Sequence, residues 1–463
     1  MTLHSLLSAT AFTILFASNT TGSAQQQQQQ QEPAFAISTF SADVTIPLNH
    51  RCMGVLPTKS KRIVDPLEAR GFVLLGGTKP VVVMAIDWCE IRNGAYDQWR
   101  DALAAAAGTD RRHVLVSSLH QHDAPVTDAD AAALLNQVGL TGELYDEDFH
   151  QACITKVCEA LRAGLQKPQP VTHLGTGKAK VDRIASNRRI ELDDGRIVYW
   201  RGSRSGSEER FAKAPEGEID PFVRTLSFWN HDSAVVALHS YAVHPMSYYG
   251  AGEVSADFVG LARRKLQAET PGVMQIYASG CSGDVTAGKY NDGSKQARAD
   301  LTERLADGMK AAWQATERVP LQQITLRSEP LHLDYYEHQD LTPQKLKATL
   351  EDSSRRTEDR ILAAMGLASQ QRVADGQPID VPCVDFGAAK LVLFPGESFV
   401  GYQLMAQDLA PDSFVVSMGY GECWPGYIPL NRNFSEGFHD KWLWVPPGSE
   451  QKLTAALRKV LHP

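Results

Sequence analysis

Short apolar runs alternate with amphipathic stretches along most of the chain. "GFVLLGG" (71–77) and "VVVMAIDW" (81–88) have the length and β-branched content of strands, "YDQWRDALAAAAG" (96–108) has helical periodicity, and "HVLVSSLH" (113–120) predicts the next strand. The alternation continues through a helix over 147–166, strands over 225–229 and 234–243, a helix over 256–269, a strand over 273–279 and a long helix over 294–316. This pattern predicts an α/β fold, a mixed β-sheet core flanked by helices. Residues 322–385 break it with an alternating strand at 324–336, one highly charged helix over 342–366 and "ADGQPIDVP" (374–382), which predicts a peripheral excursion. Core patterning resumes at 388–409 and 413–431. A last helix spans 448–461, with Ser449 as its expected N-cap.

Residues able to do chemistry fall at predicted strand exits. In "VSSLHQHDAP" (116–125), a strand carried to its end would put His120 and His122 on one face, since residues two apart share a side. Such a pair is as often a satisfied buried pair as a metal site. His244 in "LHSYAVHPMSYYG" (238–250) stands where Pro245 stops the ladder, whereas His239 lies inside the strand and reads as structural. Glu397 in "LVLFPGESF" (391–399) follows a Pro-Gly turn and opens a helix, where a carboxylate also answers the helix dipole. Two histidines and a glutamate from three strand ends match a common catalytic zinc shell with an open position. "YASGCSGDVTAGKYNDG" (277–293) matches a phosphate loop by letter, but Tyr290 replaces the magnesium-binding Ser/Thr. It reads instead as a Gly-rich active-site loop presenting Asp284 or Thr286 to a substrate.

Composition narrows the picture. The chain has 463 residues, is 43% hydrophobic and carries a net charge of −8, so it can bury a large core and has no basic footprint for nucleic acid. Residues 1–24, with the run "LLSATAFTILFA" and the small-residue stretch "TTGSA", predict a signal peptide and hence a secreted or periplasmic protein; residues 25–35, with "QQQQQQQEP", predict a disordered tether. The remaining chain, 36–463, is then the functional domain. Seven cysteines lack metal-binding or framework spacing, and most read as small buried hydrophobes.

Taken in chain order, "DPLEARGFVLL", "VVMAIDW", "SSLHQHDAP", "NRR" (187–189), "YAVHP", "GDVT", "PGESF" and "GYIPL" resemble the neutral, non-lysosomal ceramidases, zinc amidases that cleave the amide of N-acylsphingosines. The resemblance runs from about Phe40 to about Trp442. It implies a ceramidase-type catalytic domain whose Zn2+ is held by His120, His244, Glu397 and Tyr427, with His122 and Arg188 beside the scissile amide and Asp284 and Thr286 in the active-site loop. The partner implied is a small-molecule amide or N-acyl lipid, one that a membrane surface can present; the oligomeric state stays open.

Some positions depart from the family pattern. Thr286 stands for a serine, Asp123 for the serine after the second histidine, and Phe438 for a tyrosine, and the family's C-terminal β-sandwich is not expected in this chain. Two other readings remain open at this level. One is a metal amidohydrolase barrel, which also opens with His-x-His but near its first strand. The other is an exported binding protein that keeps the pocket without turnover.

Overall fold

In the computed structural model, which describes residues 35–54, 56–338 and 341–462, the run Val81–Ile86 is buried on both faces. Val81, Val83 and Ala85 enter a core shared by three sheets, while Val82, Met84 and Ile86 enter a second core beneath helices. A strand covered on both sides has no need of polar alternation, which is why it reads as a continuous apolar run.

The first sheet has the strand order Val114–Ser118, Val81–Ile86, Glu68–Leu75, Phe35–Asp43, Gln169–Val171. The second runs Met274–Ser279, Ser233–Tyr241, Phe222–Asn230, His173–Lys180, Glu317–Pro320. The third runs Thr325–Leu331, Ile379–Asp385, Ala389–Leu393, Phe414–Met418. Each sheet has one parallel pair at an edge: 81–86 with 114–118, 233–241 with 274–279, and 389–393 with 414–418. Parallel strands need a crossover, and a helix supplies each one: Asn93–Ala107, Asp257–Glu269 and Val400–Leu409. The sheets turn inward onto a common core that includes Leu115, Leu226, Leu238, Ile276, Leu391 and Val416. Helices cover the outside, for example with Trp99, Leu103, Val157 and Leu161 over the first sheet and Leu453 and Leu457 near the third.

The α/β class with a mixed sheet core and flanking helices is therefore observed, and all three sheets are open, which sets the barrel reading aside. Several local expectations are corrected. Phe35, assigned to the tether, opens a strand; the rest of the signal-peptide and tether expectation lies outside the described residues. Residues 322–385 are only partly an excursion, because Ile379–Asp385 hydrogen-bonds to Ala389–Leu393 inside the third sheet. The single helix over 342–366 is two, Pro343–Glu351 and Thr357–Ala374. At the break, the Asp352 carboxylate accepts from Ser354 N and Oγ at 2.9 and 2.7 Å, a local turn that competes with the helical ladder. Gly448, at φ 99°, takes the N-cap position expected of Ser449, whose hydroxyl donates instead to the Pro446 carbonyl. All seven cysteines are buried and unpaired. Among the described residues no helix is long and apolar enough to cross a membrane.

Candidate active site

The three parallel pairs end at one place. From the first sheet come Cys89 and Glu90 beyond one strand and His120 and His122 beyond the other; from the second, His244 and the 282–286 turn; from the third, Glu397, Tyr420 and Tyr427. Hydrogen bonds tie the exits together: Ser118 N donates to Tyr420 O at 3.0 Å, Gly419 N to Ser279 O at 2.7 Å, and Ser279 Oγ to Leu119 O at 2.8 Å. Ligand sites of open α/β sheets lie just beyond the carboxyl ends of such strands.

His120 and His122 do not reach this place by strand alternation, because the strand stops at Ser118 and His120 has a left-handed backbone with φ 64°. Tyr420 is also left-handed, φ 53°, and its ring stacks on His120 at 4.3 Å and 11°. Non-glycine residues held in that region cost about 1–3 kcal/mol each and cluster at functional sites. The turn aims His120 Nε2 at Glu397 Oε2, 3.2 Å away, and His244 Nε2 lies 3.0 Å from the same oxygen. One donor atom from each of the three residues falls within 4.8 Å of the others, and all three side chains are buried. Each imidazole is oriented through its other nitrogen: His120 Nδ1 faces the Cys89 carbonyl at 3.2 Å and His244 Nδ1 the Ser282 carbonyl at 2.6 Å. A proton on Nδ1 leaves the Nε2 lone pair free, the usual arrangement of a metal-binding histidine. Tyr427 pairs with Glu397 in a short parallel ladder and lines the same cavity of about 30 Å³.

The electrostatics suit a dication. Burial works against charge on Glu397, yet the two imidazoles more than offset it and hold the carboxyl well below the usual range. Burial, reinforced by the Arg188 guanidinium, pushes His244 down to about 4. Burial also disfavours charge on His120, but Glu397 overrides it and raises this group. Two imidazoles sharing one carboxylate oxygen are a donor set that a zinc-sized ion fits.

The other expected residues divide. His122 is 8% exposed, and neither ring nitrogen has a hydrogen-bond partner among the described residues. Burial, with His120 and His244 nearby, pushes it well below its ordinary value, so it is a neutral imidazole. His239 is the contrast: Thr225 Oγ1 at 2.8 Å and Gln275 Oε1 at 2.7 Å satisfy both its nitrogens, as a structural histidine requires. Arg188 lays its guanidinium 5.8 Å from the Tyr427 ring centre, and its Nε is buried without a hydrogen-bond partner among the described residues. Asp284 is held within the fold. Its carboxylate accepts from Val400 N and Asn187 Nδ2, both at 2.8 Å, and its carbonyl from Arg188 N at 2.7 Å, so it braces the loops and its oxygens are used within the fold. Thr286 is buried in a ladder with Ser186 and bridges to His244, and its hydroxyl accepts from Gly288 N at 3.3 Å. Phe438 packs against Tyr199, Phe399 and Tyr427 with ring centres 5.0, 5.0 and 5.7 Å away. Asp123 accepts from Gly250 N at 3.0 Å, and burial pushes it up to about 7.

Sequence reasoning missed Glu90, Tyr420 and the cavity-lining Met53, Cys89 and Trp442. Glu90 Oε1 lies 3.7 Å from His120 Nδ1, while its other oxygen accepts from Arg92 at 2.8 Å. Arg92 is itself held over the Trp444 ring at 4.3 Å. The Tyr420 hydroxyl bonds Ser282 Oγ at 2.7 Å and approaches His244 Nδ1 at 3.3 Å. The signal for both was position: each stands within four residues of a strand exit, as His120 and Glu397 do.

Solved structures share this architecture. The neutral ceramidase from Pseudomonas aeruginosa superposes with a TM-score of 0.68 at 16% identity, over 93% of this chain and 74% of that one. A ceramidase complexed with C2 gives a TM-score of 0.69 at 15% identity, over 93% of this chain and 75% of that one. The fold is thus ceramidase-like. No protein-family model and no curated protein sequence matches the chain.

Proposed function

We propose that the protein is an exported zinc-dependent hydrolase that cleaves the amide bond of N-acylsphingosine (ceramide) or a related N-acyl lipid. The observation that carries this reading is the meeting of His120 Nε2 and His244 Nε2 on one Glu397 oxygen, with the Nδ1 atom of each ring turned to a carbonyl. Support also comes from the ceramidase-like fold, since two structures with which the chain aligns are ceramidases.

His120, His244, Glu397 and Tyr427 would hold the ion. When bound, zinc supplies Lewis-acid polarisation of the amide carbonyl and of a water. The remaining work belongs to side chains. Neutral His122, with both nitrogens unpartnered among the described residues, takes up a proton from the attacking water and returns it to the leaving amine nitrogen. Arg188 balances negative charge developing on the carbonyl oxygen. Asp284 and Asn187 hold the segment carrying Arg188, and Tyr420 and the Cys89 carbonyl hold His120. Trp442, which lines the cavity beside Tyr427, offers an acyl or sphingoid chain an apolar surface that a polar amide would not use.

The test is release of fatty acid from a fluorescent N-acylsphingosine by the zinc-loaded protein, compared with His120→Ala and His244→Ala. Turnover by the parent and none by either variant is expected. Full activity in a variant contradicts the metal assignment, and zinc binding without turnover on any N-acyl amide contradicts the hydrolase reading.

A further inference from the structure

A second group of donors stands beside the first. Cys89, His120 and His122 are all buried and offer one ligand atom each within 4.8 Å of one another. Cys89 Sγ lies 4.0 Å from His120 Nδ1, whereas Glu397 faces Nε2 of that ring, so the two groups approach His120 from opposite edges. Two observations separate this cluster from an incidental buried thiol. Both His122 nitrogens are unpartnered among the described residues although the ring is buried, and Cys89 and His122 line the same cavity. A fourth donor is near, since Glu90 Oε1 is 3.7 Å from His120 Nδ1.

We infer that Cys89 and His122, with His120 shared, form a second and inhibitory site for a soft, thiophilic d10 cation such as Cd2+, Hg2+ or Cu+. A tetrahedral ion with bonds of about 2.3 Å to sulfur and about 2.0–2.1 Å to nitrogen sets its donors roughly 3.5 Å apart, so closing this group needs side-chain shifts of about 1 Å or less. Thiolate is the ligand that selects such cations over harder ones. Binding replaces the Cys89 S–H bond by a sulfur–metal bond and releases the proton to solvent, as metal uptake at cysteine does generally. Where Nδ1 of His120 joins, its proton, now directed at the Cys89 carbonyl, leaves as well. Occupancy takes the His122 nitrogen out of proton transfer. That inhibitory consequence rests on the function proposed above; the binding does not.

The experiment is a Cd2+ titration of the metal-stripped protein that reads stoichiometry and the ultraviolet thiolate-to-cadmium charge-transfer band. The parent is expected to take two ions per chain and show the band. Cys89→Ser, and Cys89→Ala as a second variant should the first not fold, is expected to take one ion without the band. His244→Ala, which breaks only the first donor group, is expected to take one ion with the band. A parent without the band, a band that survives loss of Cys89, or a band lost in His244→Ala overturns the inference. A parent that takes a single ion with the band, and none once Cys89 is replaced, upholds the second site while contradicting the His120–His244–Glu397 centre, so the two failures are told apart.

Discussion

Glu422→Gln should abolish a pH dependence built into the core beside the site. Glu422 Oε1 accepts from the amides of Asn93 at 2.9 Å and Trp424 at 3.1 Å, while its Oε2 is buried without a hydrogen-bond partner among the described residues. Burial pushes this carboxyl up to about 7, with Arg372 pulling the other way from 3.6 Å. Folded chains therefore keep the proton through a range in which unfolded chains, titrating near 4.5, have lost it. The folded state binds more protons there, so its stability is fully present below about 4.5 and is lost as pH rises through about 7. At about 1.4 kcal/mol per pH unit the whole loss is about 3 kcal/mol, most of it between pH 5 and pH 8. Glutamine keeps the oxygen that serves both amides and never ionises, while Arg372 keeps its bond to Asp97 at 2.8 Å. Urea unfolding of the metal-stripped parent and Glu422→Gln at constant ionic strength measures the difference directly. The variant should gain about 2–3 kcal/mol on the parent between pH 5 and pH 8. Curves that stay parallel across that range would refute a buried, proton-retaining Glu422.

Other outcomes follow from the site. Glu90→Gln removes the charge facing His120 Nδ1 and should weaken zinc binding about 10–100-fold, measured by competition with a chelating dye; unchanged affinity would show that the Cys89 carbonyl alone orients His120. His122→Gln should retain zinc yet lose about 10²–10⁴-fold in kcat, and loss of zinc in step with activity would make His122 a ligand instead. Asp284→Ala should cost about 1–3 kcal/mol of stability in urea, since it strips the amide acceptor at the start of helix Val400–Leu409 and one acceptor of Asn187. An activity loss without that destabilisation would return Asp284 to the substrate's side.

How much of this was legible in the chain depended on the range of the interactions involved. Val81–Ile86 is apolar without alternation because both its faces are covered, and that pattern is local, so strand and class could be read directly. The ends of the strands were also legible, and with them His120, His244 and Glu397. What makes those three a site is tertiary: three separate sheets, each with an edge parallel pair, abut so that the exits bond to one another. Spacing suggested that His120 and His122 share a strand face, whereas the left-handed turn at His120 directs the rings. Glu90 and Tyr420 carry no motif and gain their meaning from a ring 30 residues away in one case and 300 in the other. Asp284 looked like a substrate-facing carboxylate because a Gly-rich turn after a strand favours exposure; the start of helix Val400–Leu409 lies over it and takes its oxygen. The helix break at 352–356 turns on one aspartate side chain taking the Ser354 amide, an effect smaller than the periodicity that hides it.

The central claim is that one zinc ion joins the three sheets. Anomalous diffraction at the zinc absorption edge, from crystals of the protein loaded with one equivalent of zinc, tests it most directly. The account predicts a single peak within about 2.0–2.2 Å of His120 Nε2, His244 Nε2 and a Glu397 oxygen, with the Tyr427 hydroxyl closing the shell. A peak elsewhere, or fully loaded crystals in which these side chains do not converge on the ion, would contradict it.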